Sequence, residues 1–217
     1  MMFITILIFA KAPQPNRVKT RLIPALGAER AALLARLMLQ FSLEQALASH
    51  AGQVELCSSP DIEDSHAWRD VALPPGIGIS HQGVGDLGQR MARAVQRHIN
   101  AGHAVLVMGT DCPALDALIL RQAATALSVA DAVMIPTFDG GYALLGLRQY
   151  HPSLFTDILW GTSGVAQTTL QRMQQLQLKV VTLATQHDID EPRDLCHLPY
   201  HWSDFRLASS EQSITGE

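Results

Sequence analysis

Asp111 follows, after Gly109 and Thr110, an uninterrupted apolar run (Ala-Val-Leu-Val-Met at 104–108) and is itself followed by Cys112 and Pro113. Such a run predicts a strand buried on both faces, ended by a proline that blocks further ladder pairing. A carboxylate at the exit of that strand faces the crevice where open α/β sheets bind ligands, although a helix cap is the plainer alternative. Three other strand exits bring chemistry to the same rim. The first is a basic loop with Lys11, Arg17, Lys19 and Arg21, the second a glycine turn from Gln82 through Gly85 and Asp86 to Gly88, and the third the acids Asp188 and Asp190. Cations and carboxylates gathered at one rim neutralise each other unless a ligand needs both. A nucleotide diphosphate with a divalent metal does: Mg²⁺ or Mn²⁺ takes one or two carboxylates plus phosphate oxygens, while Lys and Arg offset the phosphate charge. Asp111 and Asp188 lie too far apart in sequence for a local metal loop, so the expectation is that the fold sets their strands side by side.

The elements that must position these groups alternate between strand and helix. Apolar, β-branched residues at 3–10 predict a central strand, followed by a proline-punctuated loop to Leu22. Leu33, Leu34, Leu37, Met38 and Phe41 recur at helical spacing and predict a covering helix over 28–49. Short strands are expected at 53–58 and 77–81. Asp86 is a candidate N-cap for a helix carrying Met91, Ala94, Val95 and Ile99. A helix is expected over 115–126 and a strand over 131–136. Asp139-Gly140-Gly141-Tyr142 then turns tightly into a further strand at 143–147, making the sheet mixed. A helix over 165–176, capped by Thr162 or Ser163, leads to a last strand at 179–184. The expected organisation is one α/β domain over 1–199 and a polar C-terminal tail over 200–217.

Composition narrows the function classes. The 217 residues are 47% hydrophobic and 17% charged, with a net charge of −4, which leaves no footprint for nucleic acid or an anionic membrane. Three dispersed cysteines argue against a disulfide framework and a zinc site, and Cys112 reads as buried filler. The apolar start lacks preceding cations and is shorter than a bilayer span, so it is read as a strand and the protein as cytoplasmic, with no membrane span.

The ordered motifs around Lys11–Leu22, Gln82–Met91, Gly109-Thr-Asp-Cys-Pro113, Asp139–Tyr142, Trp160-Gly161-Thr162 and Asp188-Ile-Asp-Glu-Pro192 resemble those of the DUF2064 family over roughly residues 3–195. Members are described as glycosyltransferase-like or nucleotide-diphospho-sugar-transferase-like, and some are linked to arsenosugar biosynthesis. The resemblance implies a GT-A-like three-layer sandwich with a mostly parallel mixed sheet, shared with nucleotidyltransferases. It implies that Lys11, Lys19 and Arg21 bind nucleotide phosphates and that Gln82 and the stretch from Gly85 through Asp86 to Gly88 lie against the base. Asp111 would hold Mg²⁺ or Mn²⁺ with Asp188 and Asp190, and Lys19, Arg21 and Asp111 would carry the chemistry. Asp139, Gly140, Gly141 and Tyr142, with Trp160, Gly161 and Thr162, would shape a sugar or acceptor pocket. Two departures stand out. Asn16 replaces a common family glycine, in a turn where Asn best tolerates a left-handed backbone. The sequence Asp111-Cys112-Pro113 also lacks the second aspartate of an Asp-x-Asp glycosyltransferase motif, and His187 is a candidate substitute ligand, though a surface histidine is the plainer reading. The implied ligands are a nucleotide or nucleotide-sugar and a small-molecule acceptor. Glycosyl transfer is the first expectation, nucleotidyl transfer with pyrophosphate release the second, and a silent nucleotide-binding protein the third.

Overall fold

The computed structural model describes residues 2–63 and 66–206. Among them, seven strands form one sheet: β1 (Phe3–Lys11), β2 (Gln53–Ser59), β3 (Gly78–His81), β4 (His103–Met108), β5 (Ala132–Pro136), β6 (Tyr142–Leu147) and β7 (Val180–Thr182). The order is β3-β2-β1-β4-β6-β5-β7. β6 runs antiparallel to both of its neighbours, while the other pairings are parallel, so the sheet is mixed as the tight turn at Asp139 predicts. The start of β6 therefore lies at the same rim as the ends of β4 and β5, which is how Tyr142 reaches the crevice.

Helices cover both faces: α1 (Ile23–Leu26), α2 (Ala28–Ser49), α3 (Leu87–Asn100), α4 (Ala117–Val129) and α5 (Val165–Gln175). Successive strand residues point to opposite sides. Ile6 and Ile8 of β1 pack with Leu39 and Leu43 of α2 and Leu120 of α4, whereas Leu7 packs with Met91 and Val95 of α3 and Met173 of α5. The result is the expected three-layer α/β sandwich.

α2 buries a second face. Ala31, Leu34 and Met38 pack against Leu22 and against Ile189, Leu195, Leu198 and Phe205 of the C-terminal segment. Leu33, expected in the core, is exposed instead, because the helix presents its neighbour Leu34 to that segment. The 3₁₀ segment Tyr200–Phe205 belongs to this packing, with Trp202 edge-on to Phe41 at 5.6 Å. The packed chain thus continues past residue 199; the rest of the expected tail, 207–217, lies outside the described residues.

Local differences have local causes. α4 starts at Ala117 because Asp116 caps it, accepting from the Ile119 amide at 2.9 Å, and Leu115 is buried in the turn before it. α5 is preceded by Gly164 as its N-cap, while the Thr162 hydroxyl donates to the Leu159 carbonyl. Asn16 has φ 61°, the left-handed conformation expected where Asn stands for glycine. Among the described residues no helix is long and apolar enough to cross a membrane.

Candidate active site

Beyond the ends of the central strands lies a cavity of about 720 Å³. Every site residue singled out from the sequence lines it except Gly88, Gly140 and the candidate ligand His187. Asp111 and Asp188 both line it, but their strands are not side by side: β6 and β5 separate β4 from β7. The loop after β7 swings back across that gap instead. Its Ile189 amide donates to the Asp111 carbonyl at 2.9 Å, and the Ile189 side chain is fully buried against α2. With the middle residue anchored, Asp188 and Asp190 are held on either side of it.

Lys19 stands at the centre of this acid group. Its ammonium lies 2.5 Å from Asp111 Oδ1 and 2.9 Å from Asp190 Oδ1, and donates to the Ile189 carbonyl at 2.7 Å. Its side chain is 6% exposed, against 53% for Asp111 and 40% for Asp190. An ammonium has three donors, and all three are taken. Burial works to lower the Lys19 pKa, but the charges of and hydrogen bonds to Asp111 and Asp190 outweigh it and raise it. The residue holds a left-handed backbone (φ 45°, ψ 40°), an uncommon conformation for a side-chain-bearing residue. Expected at the phosphates, Lys19 is instead occupied as the internal cation of the acid cluster. Lys11, Arg17 and Arg21 are the other cations of the loop that line the same cavity. Arg17, seen in the sequence as part of the basic loop but not as a site residue, joins them.

The glycine turn also differs in detail from its expected role. The Gln82 side-chain amide donates to the Ala10 and Cys57 carbonyls (3.2 and 2.9 Å), so it ties together the ends of β1 and β2 and has no donor left for a base. Asp86 is the anticipated N-cap of α3, in a capping box with Gln89. Gly88 is buried, and a Cβ there would lie 2.2 Å from the Phe155 carbonyl oxygen and 2.7 Å from Trp160 Nε1. It is a glycine because α3 packs closely on the Trp160 loop, not because a ligand approaches it. Gly88→Ala is expected to cost about 2 kcal/mol and to shift the fluorescence of Trp160. A melt and an emission spectrum identical to wild type would contradict that packing. Arg90, one helical turn after Asp86, is a cavity residue that the sequence does not mark; it donates to the Gly85 carbonyl at 2.8 Å.

On the opposite wall, Asp139 Oδ1 accepts from the Gly141 amide at 2.8 Å and the Thr137 hydroxyl at 2.5 Å, closing the turn. Gly140 (φ +92°) turns away from the cavity to dock on Ser163, whose carbonyl oxygen would lie 2.0 Å from a Cβ. The Tyr142 ring meets Trp160 edge-on at 6.5 Å. Burial pushes the Tyr142 hydroxyl well above the tyrosine range, so its contribution is a ring surface and not an acid. Burial likewise pushes the Cys112 thiol up to about 11, which agrees with the filler reading.

Asp188 is pushed up to about 6, first by burial and then by the charge of Asp139, with Asp190 and Asp194 adding to it. A folded-state pKa above the ordinary carboxylate value means that ionising Asp188 disfavours the fold. The stability present at low pH is lost as pH rises through about 6. Asp188→Asn is therefore expected to raise the melting temperature most at about pH 8, less at about pH 5, and hardly at all below the unfolded value of 3.8. Equal melts of the two proteins at every pH would contradict this environment.

This chemistry suits a divalent cation that shares its shell with a ligand. Among the described residues no three His, Cys, Asp or Glu side chains converge into a protein-only metal cage. Lys19 reaches Asp111 and Asp190, whereas Asp188 and Asp139 line the cavity, and the charge of Asp139 adds to the cost of ionising Asp188. Two carboxylates plus phosphate oxygens are what Mg²⁺ and Mn²⁺ take when bound with a nucleotide. His187 is engaged otherwise, stacked between Phe138 and His197 at 4.1 and 3.5 Å.

No curated protein matches this sequence. Among solved structures, a protein of Desulfovibrio desulfuricans G20 with the provisional name of nucleotide-diphospho-sugar transferase is 34% identical, with a TM-score of 0.84 over 96% of this chain and 92% of that one. The 4-diphosphocytidyl-2C-methyl-D-erythritol synthase of Anaerococcus prevotii DSM 20548 shares the fold at 12% identity (TM-score 0.59, 93% of this chain, 99% of that one). So does the Rv0371c protein of Mycobacterium tuberculosis H37Rv in complex with manganese, at 16% identity (TM-score 0.55, 91% of this chain, 98% of that one). The architecture is thus the GT-A-like one found in nucleotidyl and nucleotide-sugar transferases. The family described as "uncharacterized protein conserved in bacteria (DUF2064)" matches residues 42–162, more than half of the sequence. With that match and a relative 34% identical over nearly its whole length, the chain belongs to the DUF2064 family.

Proposed function

We propose that this protein is a transferase that binds a nucleotide-diphosphate-sugar together with Mg²⁺ or Mn²⁺ and passes the sugar to a small acceptor. The observation that carries the reading is a single cavity lined both by Lys11, Arg17 and Arg21 and by Asp111, Asp139 and Asp188. The name of the Desulfovibrio relative supports the sugar-nucleotide donor. Asp111 and Asp188 are the residues that would hold the cation, with Asp190 in support through Lys19. The cation, when bound, neutralises charge that accumulates on the diphosphate as it leaves. Arg17, Arg21 and Lys11 bind and orient the diphosphate by charge-assisted hydrogen bonds. Tyr142 and Trp160 present apolar ring surface that excludes water from the transferring group.

Nucleotidyl transfer is the second reading, and one feature favours it: the lone acid of Asp111-Cys112-Pro113 where an Asp-x-Asp pair would mark many glycosyltransferases. Incubation with Mn²⁺ and a panel of nucleotides separates the two. Slow hydrolysis of a nucleotide sugar to the nucleoside diphosphate is the expected result. Pyrophosphate release from a nucleoside triphosphate and a phosphorylated acceptor would favour the second reading, and nucleotide-induced stabilisation without turnover would favour a silent binding protein.

A further inference from the structure

Behind the Asp139–Gly141 turn lies a second concavity of about 540 Å³, between the exit of β5 and one side of α5. The two cavities share Thr137 as a dividing wall, and the turn separates them: Asp139 and Gly141 face the charged cavity, Gly140 the groove. Their chemistry is opposite. The first is lined by cations and carboxylates, whereas none of the described residues lining the second has an ionisable side chain. Gln167, Gln171 and Gln174 project from α5, with Ser163 and Thr185 adding hydroxyls and Phe138 an aromatic ring.

That lining selects a chemical class. A phosphate or carboxylate seated here would lose water and find no cation, at a large desolvation cost. A purely apolar ligand would strip water from three primary amides and two hydroxyls without replacing its hydrogen bonds. An uncharged polyol satisfies both limits. Its hydroxyls pair with amides, each of which donates and accepts, and the C–H face of a sugar ring lies on an aromatic ring. Phe138 is built for that second contact. It is 64% exposed, yet it is held on one side by a column of rings, stacking on His187 at 4.1 Å, which stacks on His197 at 3.5 Å. Its backbone is clamped as well, since the Phe138 amide donates to the Gln186 carbonyl (3.1 Å) and the Gln186 amide to the Pro136 carbonyl (2.9 Å). A large aromatic that is exposed but immobilised loses little entropy on meeting a ligand.

We infer that this groove is the acceptor subsite and that the acceptor carries an uncharged sugar ring, one turn of chain away from the diphosphate. The inference rests on the transferase reading for its role, but the groove is tested without nucleotide. The probes are the methyl glycosides of glucose, galactose, mannose and N-acetylglucosamine at millimolar concentration, with glucose 6-phosphate as the charged comparison. ¹⁵N-labelled protein is observed through its glutamine side-chain amides. At least one neutral glycoside is expected to shift the signals of Gln167, Gln171 and Gln174, and Phe138→Ala to weaken that binding about tenfold. Glucose 6-phosphate is expected to leave these signals in place. The proposal is overturned if no glycoside moves them, if Phe138→Ala binds as wild type does, or if glucose 6-phosphate shifts them equally. A parallel titration with a nucleoside diphosphate and Mn²⁺ keeps the two readings apart. Nucleotide binding without glycoside binding removes the groove alone, and glycoside binding without nucleotide binding removes the nucleotide reading.

Discussion

Asp111→Asn is expected to lower affinity for a nucleoside diphosphate in Mn²⁺ by about 100-fold or more, while affinity without metal changes little. The substitution keeps an oxygen 2.5 Å from the Lys19 ammonium but removes the charge that a divalent cation requires. Its effect on stability is small by comparison. Asp111 is half exposed, and Lys19 retains Asp190 and the Ile189 carbonyl, so the melt is expected to fall by no more than about 1 kcal/mol of stability. Large loss of metal-dependent affinity with a near-native melt is the signature of a ligand-facing carboxylate. Equal affinity in the variant, measured by calorimetric titration in Mn²⁺, would mean that the cation is held elsewhere.

Lys19→Met should show the reverse pattern, with a clear loss of stability and a binding defect that follows from it. The methionine fills a similar volume without a charge, leaving Asp111 and Asp190 with no cation between them and the Ile189 carbonyl without its donor. Removing one partner of a buried ion pair costs about 3–5 kcal/mol, but both carboxylates here reach solvent and can be rehydrated, so about 2 kcal/mol is expected. In a domain of this size that is a fall of about 4–8 °C in Tm. Mn²⁺ should restore more of the loss in the variant than it adds to wild type, because it supplies the missing positive charge. The Lys19 contribution is fully present below its unfolded pKa near 10.5 and is lost only as pH rises through the higher folded value. The difference in melting temperature between the two proteins should therefore be constant across neutral pH. A variant as stable as wild type would show that Lys19 is a free phosphate ligand and not the cation that assembles the acids.

The strands and the rim were legible because each rests on a local signal. The apolar run at 104–108 is continuous because β4 is covered on both faces, and it places Asp111 at an exit without knowledge of any other strand. The tight Asp-Gly-Gly turn predicts the antiparallel β6, and Asp86 with Gln89 forms the capping box of α3. What the sequence conceals depends on partners distant along the chain. Nothing in the spacing of Asp111 and Asp188 tells that a loop, and not a neighbouring strand, unites them by crossing two strands and anchoring Ile189 under α2. The residue type of Lys19 states a positive charge but not whether its three donors are free, and Gln82 likewise conceals that its amide is bound to two carbonyls. Leu33, Leu34, Leu37, Met38 and Phe41 read as a single core stripe of α2, and only the C-terminal segment packed on Leu34 and Met38 reveals that the helix buries a second face.

Under the proposed function, Asp111 and Asp188 hold a divalent cation jointly with a diphosphate supported by Lys11, Arg17 and Arg21. Calorimetric titration of wild-type protein with uridine or guanosine diphosphate, with and without Mn²⁺, tests this arrangement most directly. At least one of the two diphosphates is predicted to bind about tenfold or more tightly with the metal. Binding of equal strength with and without Mn²⁺, or no binding of either diphosphate under both conditions, would contradict it.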